Sequence, residues 1–188
     1  MASGYFMKRL LLAVMAALLA SAAHAQNFVT VRPEPTYYAW WLRAEFNALH
    51  TEVRGIPVKE LRKNWCKATE FARELFPPGL LDENGTDALA DSKLAFSLEG
   101  SFDGSGVKQT ALVGVYETCG GEKGGFFLII DSGTRKVRFL SAYVCRECFS
   151  AIAAAGPSRI QIAHCMECDN VSTVRWDRAQ KRFRFVKT

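Results

Sequence analysis

The stretch YAWWLRAEFNALHTEV, Tyr38 to Val53, decides how the chain is read. Tyr38, Leu42, Phe46, Leu49 and Val53 recur at intervals of three and four. That spacing puts apolar side chains on one face of an α-helix. Thr36 stands where an N-cap belongs, and Gly55 where a helix stops. Downstream, Val58, Leu61, Trp65, Ala68, Ala72 and Leu75 keep the same period until Pro77-Pro78-Gly79 ends it. Pro57 sits near the first turn of that second run, where its missing N–H costs little. The expectation is two antiparallel helices joined by Arg54-Gly55-Ile56, after an extended lead-in, Asn27 to Pro35.

Beyond Asp91 the period becomes two. Phe96, Leu98, Gly100 and Phe102 alternate with Ser97, Glu99 and Ser101. Asp103-Gly104-Ser105-Gly106 is a hairpin turn signal. Val107 to Glu117, Phe126 to Asp131, Lys136 to Val144 and Arg159 to His164 read as strands, and Val171 to Asp177 with Arg182 to Lys187 as a closing hairpin. Thr86 to Asp91 and Phe149 to Ala155 read as short helices, and Gly120 to Gly125 as a flexible loop. Helices followed by a run of strands predict an α+β fold: an N-terminal helical hairpin packed on a largely antiparallel sheet of six to seven strands.

The first residues carry Lys8 and Arg9, an apolar core from Leu10 to Ala20, and the small residues Ala23-His24-Ala25. This is the layout of a secretory signal peptide, residues 1–25, with initiation at Met1 or Met7. Cleavage after Ala25 leaves one domain, 26–188, in the periplasm or outside the cell. The formal net charge of +5 falls to +3 when Lys8 and Arg9 are removed. A balance that mild argues against nucleic acid or an anionic membrane as partner.

The six cysteines are Cys66, Cys119, Cys145, Cys148, Cys165 and Cys168. An even number in an exported chain points to disulfides. Cys66 and Cys119 would staple the helical layer to the sheet, and each C-x2-C pair would close locally or tie neighbouring strands. The alternative is zinc, because Cys145, Cys148, Cys165 and Cys168 form C-x2-C-x16-C-x2-C. Four thiolates at that spacing make a closed structural site. A redox centre at Cys145-Arg-Glu-Cys148 is the third reading. It suffers because the chain closes on a hairpin rather than a helix.

Only His50 and His164 follow the signal, and no nucleophile motif such as G-x-S-x-G is present. Glu99 and Asp103 are the carboxylates a small hydrolase would use. Asp82 to Asp87 is acidic but lacks the calcium-loop pattern, so it reads as a surface turn. The interleaved Arg175-Trp176 and Lys181 to Phe185 are explained by strand alternation. Tyr37, Trp40 and Trp41 belong to an aromatic cluster that one helix stripe cannot bury, which makes them candidate partner contacts. The expectation is a soluble exported protein that acts by binding, such as an inhibitor or immunity protein against an envelope enzyme. The competing reading is a zinc or thiol-disulfide protein.

Overall fold

Where the sequence period predicts helices, the backbone is extended. The computed structural model describes residues 27–32, 39–83, 86–166 and 169–186, with the side chains at 83 and 86 left aside. Val29–Val31 (β1) pairs with Ala44–Phe46 (β2), placing Val29 opposite Phe46. Among the described residues, two 3-10 turns, Trp40–Leu42 and Arg73–Leu75, and a single helical turn, Val58–Leu61 (α1), remain of the expected hairpin of helices. The expected α+β fold is therefore not the one observed: strands and turns replace the helical hairpin, and the described residues are mostly β.

The reason lies in residues off the stripe. Trp40, Trp41, Ala44 and Ala48 lie between the stripe positions, and the fold buries all four. Leu42, on the stripe, is 62% exposed. Ala44, Phe46 and Ala48 are buried while Glu45 is exposed, an alternation of period two. The turn itself is where the sequence puts it. Arg54 and Gly55 have φ of 51° and 72°, both left-handed. Two such residues make the tight turn that suits the twist of a β-hairpin. They join Glu52–Val53 (β3) to Ile56–Pro57 (β4) instead of two helices.

Trp65–Glu70 (β5) enters a five-stranded antiparallel sheet with Ser97–Gly100 (β8), Gln109–Thr118 (β9), Lys123–Asp131 (β10) and Val137–Val144 (β11). Asp82–Glu83 (β6) and Thr86–Asp87 (β7) form a separate small hairpin ahead of a one-turn helix, Ala88–Asp91 (α2). Along one edge of β9, β8 pairs with its first half and β5 with its second. Gly114 sits near that changeover. A Cβ there would lie 2.3 Å from the Thr69 carbonyl oxygen, so only glycine lets β5 approach.

A second sheet is a meander of Ala151–Ala154 (β12), Arg159–Ala163 (β13), Val171–Asp177 (β14) and Arg182–Val186 (β15). The Ala-rich β12 falls in the run expected to be a helix. Its ladder with β13 overrides alanine's helix preference. Ala151 and Ile152 are fully buried there. The two sheets are joined along one edge by paired hydrogen bonds between Ala95 and Ile152, at 2.8 and 2.7 Å.

The first sheet is covered on both faces. Ala111, Val113, Val115, Phe127 and Ile129 face the second sheet's Ile160, Ile162, Val174 and Phe183 in the main core. Leu112, Tyr116, Phe126, Leu128 and Ile130 face a cover made by Val53, Ile56, Val58, Leu61 and Trp65. Trp65 stacks on Tyr116 at 4.4 Å. Burial on both faces is why Phe126 to Ile130 carries no polar residue.

Gly124 and Gly125, expected in a flexible loop, are buried within β10. Their lack of a Cβ makes room for rings from both neighbouring strands. A Cβ at Gly124 would lie 2.5 Å from the Tyr116 ring, and one at Gly125 2.6 Å from the Tyr143 ring. The loop proper is short and closes with Glu122 O accepting from the Thr118 N–H at 2.8 Å.

Candidate functional site

β11 and β15 are edge strands of the two sheets, and among the described residues no ladder joins them. Rings bridge one end of this seam. Phe139 lies 6.3 Å from Phe183 and 5.8 Å from Phe185. Towards Cys145 the seam opens into a cavity of about 580 Å³. Its walls are Phe127, Phe149, Ile162 and Phe185, with Leu42 at the rim. Leu42 and Phe185 are 62% and 44% exposed, so large apolar side chains stand in water at its mouth.

The cavity follows from side-chain size along inward-facing rows. On β11 the inward positions are Phe139, Ser141 and Tyr143. On β14 they are Ser172, Val174 and Trp176, and Ser172 pairs with Ile162 of β13. Ser141 and Ser172 are small where their row neighbours are large, and both line the cavity. A concave, mainly apolar space with a few convergent polar groups is the usual form of a small-molecule site.

The polar groups are Tyr143, His164, Asn170 and the two serines, with the exposed carboxylate of Glu147 at the rim. His164 packs edge-on to Tyr143 with ring centroids 5.3 Å apart. Its Nε2 lies 3.3 Å from Ser172 Oγ. Burial holds the His164 pKa below the ordinary imidazole value and pushes the Tyr143 phenol up. Both are therefore neutral at pH 7. Tyr143 Oη and Ser150 Oγ are buried beside each other, and the Ser150 hydroxyl offsets part of the rise in the phenol pKa. The walls are mainly apolar, the inner polar groups can donate or accept hydrogen bonds, and Glu147 places one carboxylate at the exposed rim.

The histidine sets a pH dependence. An imidazole whose folded pKa is depressed leaves stability unchanged above the unfolded value of about 6.5. Below that value the unfolded chain takes up the proton first, and stability falls until the folded group also titrates. Unfolding free energy should therefore decline from about pH 6.5 downwards. His164→Gln should flatten that part of the profile, measured by urea titration at each pH. An unchanged slope would contradict the burial of the imidazole.

Two disulfides frame the first sheet. Cys66 and Cys119 are bonded, at a sequence separation of 53 and with Cα atoms 4.9 Å apart. This bridge joins β5 to the end of β9 within one sheet, at a register shift between Trp65 and Lys67. It does not staple a helical layer to a sheet. Cys145 and Cys148 are bonded to each other, and Cys145 lines the cavity. Cys165 is also disulfide-bonded, and Cys168 lies outside the described residues. Oxidised Cys145 and Cys148 present no thiolate to zinc. Among the described residues, no three His, Cys, Asp or Glu side chains are gathered as a metal requires.

The remaining sequence candidates fall elsewhere. Trp40 and Trp41, read as partner contacts, are 2% and 6% exposed and pack in the main core, so they offer a partner almost no surface. Trp40 touches Phe76 and Phe149 edge-on. Tyr37 lies outside the described residues. His50 is exposed and bridges to Ala68 through its backbone. Glu99 pairs with Lys108, and Asp103 is committed to Arg138. A larger concavity of about 670 Å³ beside β3 and β5 is lined by Glu52, Arg54, Glu70 and Glu74. The Arg54–Glu70 ion pair spans it at 2.7 Å, which makes it a charged surface crevice.

Comparison of this chain with protein-family models, curated proteins and solved structures finds no match. Among the described residues, no helix is long and apolar enough to cross a membrane.

Proposed function

We propose that this is an exported protein that acts by binding, and that its site is the seam cavity between Tyr143, Ile162 and Phe185. The observation that carries the reading is the cavity itself. Its apolar walls and its hydrogen-bonding group, His164 with Ser172, lie between the two sheets. The occupant that suits it is a small amphipathic molecule with an apolar body and one hydrogen-bonding polar end that is not anionic, because Glu147 stands at the rim. A volume of about 580 Å³ is within the range of drug-sized ligands. The apolar rim at Leu42 and Phe185 would cover the part of the ligand that stays outside.

Export supports this reading through chemistry. Oxidised cysteines persist in the periplasm and outside the cell, and they are rare in a reducing cytosol. The signal-like residues 1–25 point the same way.

Native mass spectrometry of the protein isolated from its envelope tests the proposal. The expected spectrum shows a small organic mass on the folded chain that is lost on denaturation. A chain isolated bare, which also takes up nothing from an extract of envelope lipids, would overturn it.

A further inference from the structure

The strand register of the second sheet brings together three arginines that lie far apart in sequence. Arg159 pairs with Arg175, and Arg175 pairs with Arg184. Cross-strand partners share a face, so all three guanidinium groups leave the outer face of the sheet in one row. Neighbouring strands are about 5 Å apart. The alternate positions Ile160, Val174 and Phe183 turn inward. Arg178, Lys181 and Arg182 extend the positive charge around the β14–β15 turn, and all three are exposed.

Like charges directly opposite one another disfavour a sheet. This row therefore works against the fold's own stability. Its acidic neighbour on the face is Asp177, whose carboxylate accepts from Arg184 Nε at 2.8 Å. The carboxyl is held below its ordinary pKa, first by the Gln180 backbone N–H and then by Arg184 and Arg175 among other groups. Among the described residues, Arg159 and Arg175 make no ion pair.

We propose that this row is a docking surface for an acidic protein partner, which supplies the carboxylates that the fold leaves out. Charge complementarity carries the choice. Arginine presents a planar fork that fits a carboxylate bidentately, and the row is built of arginine rather than lysine. Asp177 on Arg184 shows the pairing already made once within the chain. Three forks on a flat outer face suit an extended acidic segment or an acidic strand. The surface is separate from the seam cavity, since none of the three arginines lines it.

The test uses the full mature chain and poly-L-glutamate as probe, in low salt, with phosphatidylglycerol vesicles as a second arm. The unaltered protein should bind poly-L-glutamate with an affinity that falls steeply as salt rises. Arg159→Gln/Arg175→Gln/Arg184→Gln should weaken binding at least tenfold. Its melting temperature should be equal or higher, and its seam cavity intact by the native mass spectrum. Arg175→Lys, which keeps the charge and loses the fork, should weaken binding several-fold without altering the fold. Three results would overturn the proposal: undiminished binding by both variants, tighter binding to the vesicles at equal anionic charge, or loss of folding in the triple variant. The last would mean that the arginines hold the sheet together.

Discussion

Replacing both Cys66 and Cys119 with alanine should lower the unfolding free energy by about 4 kcal/mol. The bridge closes a loop of 53 residues, and the chain-entropy gain grows with the logarithm of that length. The bond also sits where the β5–β9 ladder shifts register between Trp65 and Lys67. Hydrogen bonding is interrupted there, so the covalent link replaces part of what the ladder lacks. The Cys145–Cys148 bridge spans a sequence separation of 3. By the same argument its removal should cost only about 1.6 kcal/mol. Urea denaturation of the two double variants checks the ratio. Equal losses would contradict the loop-length account.

Arg138→Met should cost about 3 kcal/mol at pH 7. Arg138 lies on β11 and reaches Asp103 at 2.9 Å and Asp131 at 3.4 Å. The Asp103 side chain is 2% exposed, against 24% for Arg138. Removing the cation takes the counter-charge from one deeply buried carboxylate, which keeps its hydrogen bond from the Ser105 N–H, and weakens a second. The estimate sits at the low end for a broken buried pair because Arg138 keeps some contact with water. Methionine retains the aliphatic stem that packs near Trp176, where the guanidinium carbon lies 5.8 Å from the ring.

The loss should shrink in acid. Burial works to raise the Asp103 carboxyl, but the Ser105 hydroxyl and N–H, the Gln109 side chain and the Arg138 charge outweigh it. The net pKa lies below the ordinary value. Its stabilisation is present above the unfolded value of about 3.9 and is lost as pH falls through the lower folded value. Unaltered protein and Arg138→Met should therefore converge below about pH 4. Adding Asp103→Asn to Arg138→Met should recover part of the loss at pH 7. A loss that is the same at pH 3 and pH 7 would contradict the pairing.

Most of the second half of the chain was legible because alternation or an apolar run between turn signals marks its strands. The exception is Phe149 to Ala155, which holds β12 and not a helix. From Phe96 onward the turns at Asp103 to Gly106 and Ser132 to Thr134 lie between strands in the structure too. The first half misled because Tyr38 to Val53 fits two periods at once. Phe46 belongs to the helical stripe and to the alternation Ala44, Phe46, Ala48. Tertiary pairing with Val29 to Val31 decides between them, and that partner is invisible in local spacing. Gly124 and Gly125 misled for a related reason. Glycine signals a loop in sequence, but here it accepts tyrosine rings from across the sheet.

The candidate site was legible only as exceptions within a pattern. Ser141 and Ser172 interrupt rows of large inward residues, and that interruption can be seen in RFLSAYV and VSTVRW. What cannot be seen is that the two rows face each other across an unpaired seam. The same limit hid the arginine row. Alternation says that Arg175 and Arg184 point outward, but the register that aligns them with Arg159 comes from the folded sheet.

Binding of the uncharged fluorescent probe Nile red by the folded protein and by Ser141→Phe tests the central claim most directly. Ser141 lines the cavity opposite Phe127 on β10, so a phenyl ring there fills the space. The expected result is one probe per unaltered chain, little or no binding by Ser141→Phe, and a melting temperature that holds or rises as the void closes. Equal probe binding by both proteins would contradict the seam cavity as the binding site.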